Sequence, residues 1–242
     1  MAFTRIKTSL LAAALAIACA PAVYADVEQA NSALRAAFPA AVKSVTAGPA
    51  PSLVEVVTND NKVLHATADG RFLIVGDVIA VETRENITKA RYDDINRVDF
   101  NALPLDKAIK IVKGAGRYPV ALFSDPDCPY CKRFDDEMEK LTNATVYLFT
   151  MPLPMHKDAA NKSRKVWCDK DPAAAWDALM SKGTVPKNDG ACKNPVSEVM
   201  AIADKFGVSG TPTLILANGK KANGMPGAEL QALLEATGLP KK

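Results

Sequence analysis

The amino-acid sequence predicts a mixed α/β protein, α+β overall, with a small N-terminal domain and a larger C-terminal one. Short runs rich in β-branched residues, separated by turn residues, occupy residues 26–82. A strand–helix–strand pattern follows over residues 119–149, and helical spacing dominates from there to about residue 206. Removing a leader of 25 residues from the 242-residue chain leaves 217 residues, which suit one large domain or two modest ones.

Residues 1–25 have the layout of a secretory signal peptide. Two basic residues precede an apolar run, Leu10–Ala20, and small residues end the segment at Ala25. The run is shorter than the roughly 20 residues that a membrane span needs, which disfavours an anchor. A lipoprotein cut before Cys19 is disfavoured because Ala16 stands where such sites usually have Leu. We therefore expect cleavage after Ala25 and export.

Charge and cysteine content narrow the possible partners. The leader carries two basic and no acidic residues, so cleavage lowers the formal net charge from +3 to +1. A nearly neutral protein is a poor candidate for binding nucleic acid or acidic lipid. Four cysteines remain after cleavage, and in an oxidising compartment an even number favours disulfides over free thiols.

Residues 26–82 form the predicted N-terminal domain. Apolar residues at helical spacing from Val27 to Phe38 indicate a short amphipathic helix. The sequence Asp69-Gly70 suits a tight hairpin turn. The predicted strands are Leu53–Thr58, Val63–Ala68 and Arg71–Val75. This domain has no clustered cysteines, Gly-rich loop or paired carboxylates, so we expect no chemistry here.

Residues 83–116 are predicted to be a partly helical linker. The pattern is polar and charged until Leu105–Lys113, where apolar residues return at helical spacing. Pro104 would either interrupt one continuous helix or begin the second one. The sequence therefore predicts a helix over Leu105–Lys113.

Residues 117–242 form the predicted C-terminal domain, which begins with a βαβ unit. A helical insertion follows its second strand, and Asn218-Gly219 is a strong hairpin signal near the end of the domain. The predicted elements are a strand Val120–Phe123, a helix through Phe134 and Met138, a strand Thr145–Phe149, helices to about Ser181, a helix Pro195–Phe206, strands Thr213–Ala217 and Lys220–Asn223, and a last helix ending at Gly238.

The sequence Cys128-Pro129-Tyr130-Cys131 follows a predicted buried strand and opens a helix, the context in which C-x-x-C indicates a redox pair. Backbone N–H groups at a helix N-terminus stabilise an anion, so Cys128 should ionise more readily than an ordinary thiol. Thiolate is the species that attacks a disulfide, and a cysteine one turn later can resolve the mixed disulfide. Cys128 is the predicted nucleophile and Cys131 the predicted resolving cysteine.

Two other interpretations of this pair are weaker. A zinc ribbon needs a second C-x-x-C, whereas Cys168 and Cys192 stand far apart. A permanent, inert disulfide is the other alternative. Asp125 and Asp127 precede the nucleophile and would by charge alone oppose thiolate formation. Asp127 is as good a candidate for a helix N-cap as for a catalytic tuner.

A second motif, Gly207-Val208-Ser209-Gly210-Thr211-Pro212, precedes a predicted strand. Together with Phe123-Ser124-Asp125-Pro126-Asp127-Cys128-Pro129-Tyr130-Cys131 it resembles the cis-proline and active-site segments of the DsbC/DsbG family of bacterial periplasmic disulfide isomerases. The likeness extends over the mature chain in its order of domains, although only the two motifs are specific.

The resemblance implies a small, cystatin-like N-terminal dimerisation domain, a helical linker and a thioredoxin-like catalytic domain. It implies that Thr211 and Pro212 hold substrate backbone and that Cys168 and Cys192 form a structural disulfide. It also implies a periplasmic homodimer that acts on misfolded exported proteins with wrong disulfides and is kept reduced by a membrane electron donor of the DsbD kind. No cofactor and no metal are expected.

The active-site dipeptide, Pro129 and Tyr130, leaves the exact activity open. The best-known isomerase of the family has Gly at the first position, whereas the DsbG branch has Pro, and the dipeptide tunes the reduction potential. A general isomerase and a DsbG-like reductase that protects single cysteines therefore both remain, as does a chaperone with secondary redox activity. Thr211 disfavours a net oxidase, since the oxidase branch usually has Val there.

The remaining conspicuous side chains are given structural interpretations. His65 lies in a predicted strand and His156 in a loop, and neither has a second histidine nearby in sequence, so we expect surface or hydrogen-bonded histidines. Trp167 and Trp176 are expected in the core of the helical insertion.

Overall fold

The computed structural model describes residues 26–224 and 227–239, and it divides into two compact units between Thr88 and Lys89. The predicted signal peptide, residues 1–25, and Cys19 within it lie outside the described residues. The mixed α+β class predicted from the sequence is confirmed.

The N-terminal unit is one helix on a four-stranded antiparallel sheet. The predicted amphipathic helix is present, and the Asp26 carboxylate caps its first turn by accepting from the Gln29 N–H at 3.0 Å. The buried Ala30 and Leu34 pack on the sheet. The elements are α1 (Val27–Ala37), β1 (Val42–Ala47), β2 (Leu53–Thr58), β3 (Val63–Thr67) and β4 (Leu73–Ile74), in the sheet order β1-β2-β3-β4.

The last part of this unit exposes apolar side chains. The edge strand β4 pairs with β3 and is followed by a two-stranded ribbon, β5 (Ile79–Ala80) with β6 (Glu85–Asn86). Phe72, Val75 and Val81 are 61%, 79% and 89% exposed. Large apolar side chains so exposed beside an unpaired strand edge are typical of an interaction surface.

The predicted helix over Leu105–Lys113 is wrong. Only Leu105–Lys107 forms a 3-10 turn, and Ile109–Lys113 is a strand, β7, paired antiparallel with β9 (Ala144–Thr150). Pairing with β9 outweighs the helical spacing, because in β7 buried and exposed side chains alternate. The helical part of the predicted linker is α2 (Ile87–Ile95), a 3-10 turn follows at Phe100–Ala102, and Phe100 is already buried in the core of the C-terminal unit.

The C-terminal unit is built on a five-stranded sheet in the order β11-β10-β8-β9-β7. The predicted βαβ unit is confirmed: β8 (Tyr118–Ser124), α3 (Pro129–Met138) and β9, with β8 and β9 parallel. β10 (Thr213–Leu216) runs antiparallel to β8 and turns through Asn218-Gly219 into β11 (Lys221–Asn223), where Gly219 has a φ of 82°.

Helices α4 (Ala159–Trp167), α5 (Pro172–Lys182), α6 (Val196–Lys205) and α7 (Gly227–Thr237) complete the unit. Alternate residues of β8 enter two different cores: Leu122 packs with α3, α5 and α7, and Phe123 packs with α6 and stacks on Phe149 at 4.7 Å between ring centroids. Trp176 of α5 is buried in the first core, as expected, and Trp167 is partly buried against it. The sheet is therefore covered on both faces.

Candidate active site

The two cysteines lie at the start of α3, immediately after the central strand β8. Cys128 is the N-cap residue, with φ of −74° and ψ of 121°, and Pro129 occupies the first helical position, where its fixed φ is favourable and its missing N–H costs nothing. Cys131 follows in the first turn and faces the core. The strand end and the helix start thus fix the spacing of the pair.

The two thiols, both free, have different environments. Cys131 is 1% exposed and Cys128 is 5% exposed, so both sulfur atoms are largely shielded from solvent. Burial raises the pKa of the Cys131 thiol to about 11, although its sulfur accepts from the Asp125 backbone N–H at 3.4 Å. Cys131 is therefore a protonated thiol in the resting protein, whereas Cys128 lies where helix N–H groups favour an anion.

The second motif lies beside the cysteines because β10 pairs with β8. The residue pair Thr213 and Phe123 aligns the start of β10 with the end of β8, and the loop before β10 therefore reaches the C-x-x-C turn. The Thr211–Pro212 peptide bond is cis. The Cys128 thiol lies 3.7 Å from the Thr211 carbonyl oxygen, to which it donates. The structure thus brings the pair Cys128 and Cys131 next to the pair Thr211 and Pro212. The two pairs are at least 80 positions apart in the sequence.

A groove of about 660 Å³ runs between α3 and the cis-proline loop. Its walls are Tyr130, Arg133, Phe134 and Glu137 on one side and residues 209–213 with Asn223 and Gly224 on the other. Tyr130 is 66% exposed, and the Arg133 guanidinium lies 4.7 Å from the centre of its ring. A groove with an aromatic wall beside β11, the outer strand of the five-stranded sheet, suits an extended polypeptide.

Asp125 is fully buried and organises the turn before Cys128. Its Oδ1 accepts from the N–H groups of Asp127 and Cys128 at 2.6 and 3.1 Å, and its Oδ2 accepts from the Leu153 N–H at 2.6 Å. The suggested N-cap role of Asp127 is therefore wrong, since Cys128 is the cap residue and Asp125 supplies the carboxylate that satisfies the turn.

Two basic side chains that the sequence reasoning missed approach these aspartates. Lys162 of α4 donates to Asp127 Oδ1 at 2.6 Å, and this hydrogen bond raises the pKa of the lysine. His156 Nδ1 lies 3.0 Å from Asp125 Oδ2, but the contact lacks hydrogen-bond geometry. Nothing in the local sequence indicates either pair, because the partners are 31 and 35 positions apart.

Three further residues that the sequence singled out are His65, Cys168 and Cys192. His65 was expected at the surface or hydrogen-bonded, yet it is buried in β3, and its Nδ1 has no hydrogen-bond partner among the described residues. Burial lowers its pKa. Cys168 and Cys192 are joined in a disulfide with Cα atoms 5.7 Å apart, which leaves neither sulfur free to complete a zinc site. Over residues 26–224 and 227–239, no cluster of His, Cys, Asp or Glu could hold a metal ion.

No helix in the described part of the chain is both long enough and apolar enough to cross a membrane.

Two family models match the sequence and agree with the two structural units. A thioredoxin-like domain model matches residues 105–238, and a model of the N-terminal domain of disulfide bond isomerase proteins matches residues 21–89. The first of these covers more than half of the chain.

Curated relatives and a solved structure extend the match. The probable thiol:disulfide interchange protein DsbC of Bordetella avium is 34% identical over 187 residues, which are 77% of this chain and 67% of the relative. Its counterpart from Bordetella parapertussis is 37% identical, over 67% of this chain and 58% of the relative. The match therefore spans about three fifths to two thirds of these relatives' length.

A more distant relative, the thiol:disulfide interchange protein DsbC of Escherichia coli K12, is 26% identical over 80% of this chain and 82% of its own length. The crystal structure of a disulfide interchange protein from Neisseria gonorrhoeae covers 56% of this chain and 98% of its own, with 46% identity and a TM-score of 0.53. Taken with the geometry of Cys128 and Cys131 and the two domain matches, these relatives show that the chain belongs to the DsbC family of thiol:disulfide interchange proteins.

Proposed function

We propose that this protein rearranges and reduces incorrect disulfides in exported proteins, with Cys128 as nucleophile and Cys131 as resolving cysteine. The observation that carries the proposal is the asymmetry of the pair. Cys128 caps α3, whereas burial raises the pKa of Cys131 to about 11. Cys128 is thus suited to attack a substrate disulfide, and Cys131 stays protonated until it resolves the mixed disulfide.

In the first step the Cys128 thiolate attacks one sulfur of a substrate disulfide. The substrate S–S bond breaks, a bond from Cys128 to that sulfur forms, and the second substrate sulfur leaves as a thiolate. If another substrate thiolate then attacks the mixed disulfide, the substrate gains a different disulfide and Cys128 is released, with no net transfer of electrons. This route is isomerisation.

In the alternative second step Cys131 loses its proton and attacks Cys128. The substrate then leaves with both sulfurs reduced, and a Cys128–Cys131 bond has formed, so two electrons have passed to the substrate. Repeated turnover requires a dithiol that reduces this bond. A membrane donor of the DsbD kind, implied by the family resemblance, fits that requirement and remains part of the proposal.

Thr211 and Pro212 are proposed to hold the substrate backbone. Support comes from their position in the loop immediately before β10, from the Thr211 carbonyl oxygen 3.7 Å from the Cys128 sulfur, and from the groove that they share with Tyr130. An extended substrate strand that pairs with this loop would bring its disulfide to Cys128.

Homodimerisation through residues 26–82, in the periplasm, completes the proposal. Its support is the edge strand β4 and the exposed Phe72, Val75 and Val81. Val75→Glu combined with Val81→Glu should yield a monomer in sedimentation velocity. Val112→Glu, on the edge strand β7 of the other sheet and 53% exposed, is the matched control and should stay dimeric. A monomeric wild-type protein would refute this part.

The activity itself is tested by refolding a scrambled multi-disulfide protein. Catalytic amounts of the reduced, mature protein should restore the native disulfides without added reductant, because isomerisation returns Cys128 to its thiolate form. A DsbG-like reductase, which Pro129 leaves open, should instead require a stoichiometric reductant and act on substrates with a single oxidised cysteine. Failure in both assays would refute the proposed function.

A further inference from the structure

Two carboxylates lie next to the redox pair, on the turn that leads into α3. Asp125 is fully buried, and Asp127 directly precedes Cys128. Negative charge so close to a thiol disfavours its ionised form. If nothing offset these charges, they would work against the helix N-terminus that favours the Cys128 thiolate.

The two carboxylates are stabilised differently. Asp125 accepts from three backbone N–H groups, those of Asp127, Cys128 and Leu153, so the turn itself spreads its charge. Asp127 instead forms an ion pair with Lys162, whose Nζ lies 2.6 Å from its Oδ1. Both side chains are 21% exposed, so water screens this pair less than it would a surface pair.

Lys162 belongs to an element that is far from Asp127 in the sequence. It lies on the first turns of α4, within the helical insertion, and its Nζ is also 3.5 Å from Asp158 Oδ2 on the same helix. Asp158 is mostly exposed, whereas Asp127 is as shielded as the lysine. The stronger contact is therefore with the aspartate beside the nucleophile, which gives the insertion a direct electrostatic link to the active site.

We propose that Lys162 is a positioning residue that offsets the charge of Asp127 and thereby sets the fraction of Cys128 present as thiolate. The inference rests on the proposed role of Cys128 as nucleophile. Because stabilising the thiolate favours the reduced pair over the disulfide, Lys162 also shifts the equilibrium between the reduced and oxidised forms of the protein.

Other charged groups lie on the elements around the pair. On α3, Lys132 and Arg133 follow Cys131, and the Arg133 guanidinium lies over the Tyr130 ring. On the loop before α4, His156 faces Asp125. The cis-proline loop, residues 209–213, has no charged residue. Lys162, by contrast, directly contacts the carboxylate of Asp127, the residue before Cys128.

The test compares Lys162→Met with Lys162→Arg in the full mature chain. Absorbance of the thiolate is followed during a pH titration of the reduced protein, and alkylation of Cys128 is timed at a pH of about 6. Lys162→Met should raise the titration midpoint by about half to one pH unit and slow alkylation about threefold to tenfold, whereas Lys162→Arg should stay within about twofold of wild type. Lys157→Gln, which removes an exposed lysine from the same segment, should change neither value.

A double-substitution cycle separates the ion pair from general effects. Asp127→Asn alone should lower the midpoint, and Asp127→Asn combined with Lys162→Met should return it close to wild type. In a glutathione buffer, Lys162→Met should shift the equilibrium toward the oxidised pair by about the same threefold to tenfold. An unchanged midpoint in Lys162→Met would overturn the inference. So would a double variant whose midpoint stays as high as that of Lys162→Met alone, because the rise would then not come from the unpaired charge of Asp127.

These measurements need no substrate protein, so their failure is distinct from failure of the proposed function. A wild-type protein that isomerises disulfides while Lys162→Met retains the wild-type midpoint refutes the inference alone. A protein that shows the expected midpoint shifts but fails to repair scrambled substrates refutes the proposed function and leaves the ion-pair effect standing.

Discussion

The C-terminal unit contains two cysteine pairs that differ in their place on helices. Cys128 caps the N-terminus of α3, and Cys131 follows one turn later; Cys168 is the C-cap of α4 and is bonded to Cys192. A helix N-terminus stabilises a thiolate, whereas carbonyl groups at a C-terminus repel one. The position of a cysteine relative to the helix dipole therefore separates a pair suited to exchange from one suited to permanent bonding.

The largest effect should follow from removing the attacking thiol. Cys128→Ser should abolish disulfide repair, a loss on the order of a thousandfold or more, because burial raises the pKa of Cys131, the other free thiol of the described residues, to about 11. Cys131→Ser should accumulate covalent adducts with substrate proteins, since the route of escape is removed. Nonreducing gel electrophoresis checks both outcomes, and equal trapping by the two variants would contradict the assigned roles.

The next largest effect concerns the bonded pair. Cys168→Ala combined with Cys192→Ala opens a loop with a sequence separation of 24, which chain-entropy arithmetic equates with about 3 to 4 kcal/mol of stability. Denaturant unfolding should show this loss, while alkylation of Cys128 at moderate temperature stays near the wild-type rate. A variant with unchanged stability but lost redox activity would mean that this pair also takes part in exchange.

Thiol reactivity sharpens the comparison within the redox pair. Since burial raises the pKa of Cys131 from 9.0 to about 11, its thiolate is about a hundredfold scarcer than that of an ordinary cysteine. In the reduced protein, iodoacetamide should label Cys128 at least about a hundredfold faster than Cys131. Peptide mapping by mass spectrometry reads the ratio, and comparable labelling of both would remove the asymmetry on which the proposed function rests.

Much of the site was predictable because its signals are local. The spacing of Cys128 and Cys131, the strand before them and the Thr211-Pro212 sequence before another strand are all visible in short segments. The contact of Lys162 with Asp127 was not, because an ion pair between elements 35 positions apart depends on how the insertion packs.

The wrong prediction of a helix over residues 105–113 has a comparable cause. Leu105, Ala108, Ile109 and Val112 satisfy helical spacing, but Ile109 and Ile111 also fit a strand with alternate residues buried. Pairing with Tyr147 and its neighbours in β9 decides between the two, and the sequence of residues 105–113 contains no information about that partner strand. Strand β1 was missed for the same reason, since it is stabilised by pairing with β2.

The smallest predicted effect concerns the contact between the helix of the redox pair and the insertion that holds the disulfide. Asp135 of α3 is buried and accepts from the Trp176 indole N–H of α5 at 3.0 Å. Burial raises the pKa of this carboxyl from 3.8 to about 6. Because the folded-state pKa is raised, folding favours the protonated acid, and its contribution is fully present below about pH 4 and lost as pH rises through 6.

Above pH 6 the protein therefore carries a buried charge on Asp135, which costs about 2 to 3 kcal/mol of stability. Asp135→Asn removes this charge, and the amide oxygen of the new side chain can still accept the hydrogen bond from Trp176. The variant should melt several degrees higher than wild type at pH 8 and show no gain at pH 4. Asp136→Asn, which removes an exposed carboxylate from the next position of α3, is the matched control and should change the melting temperature little at either pH. Calorimetry at the two pH values decides the matter. If Asp135→Asn gave the same change at pH 4 and pH 8, the carboxyl would not titrate between them, and the contact between α3 and α5 would owe nothing to its protonation.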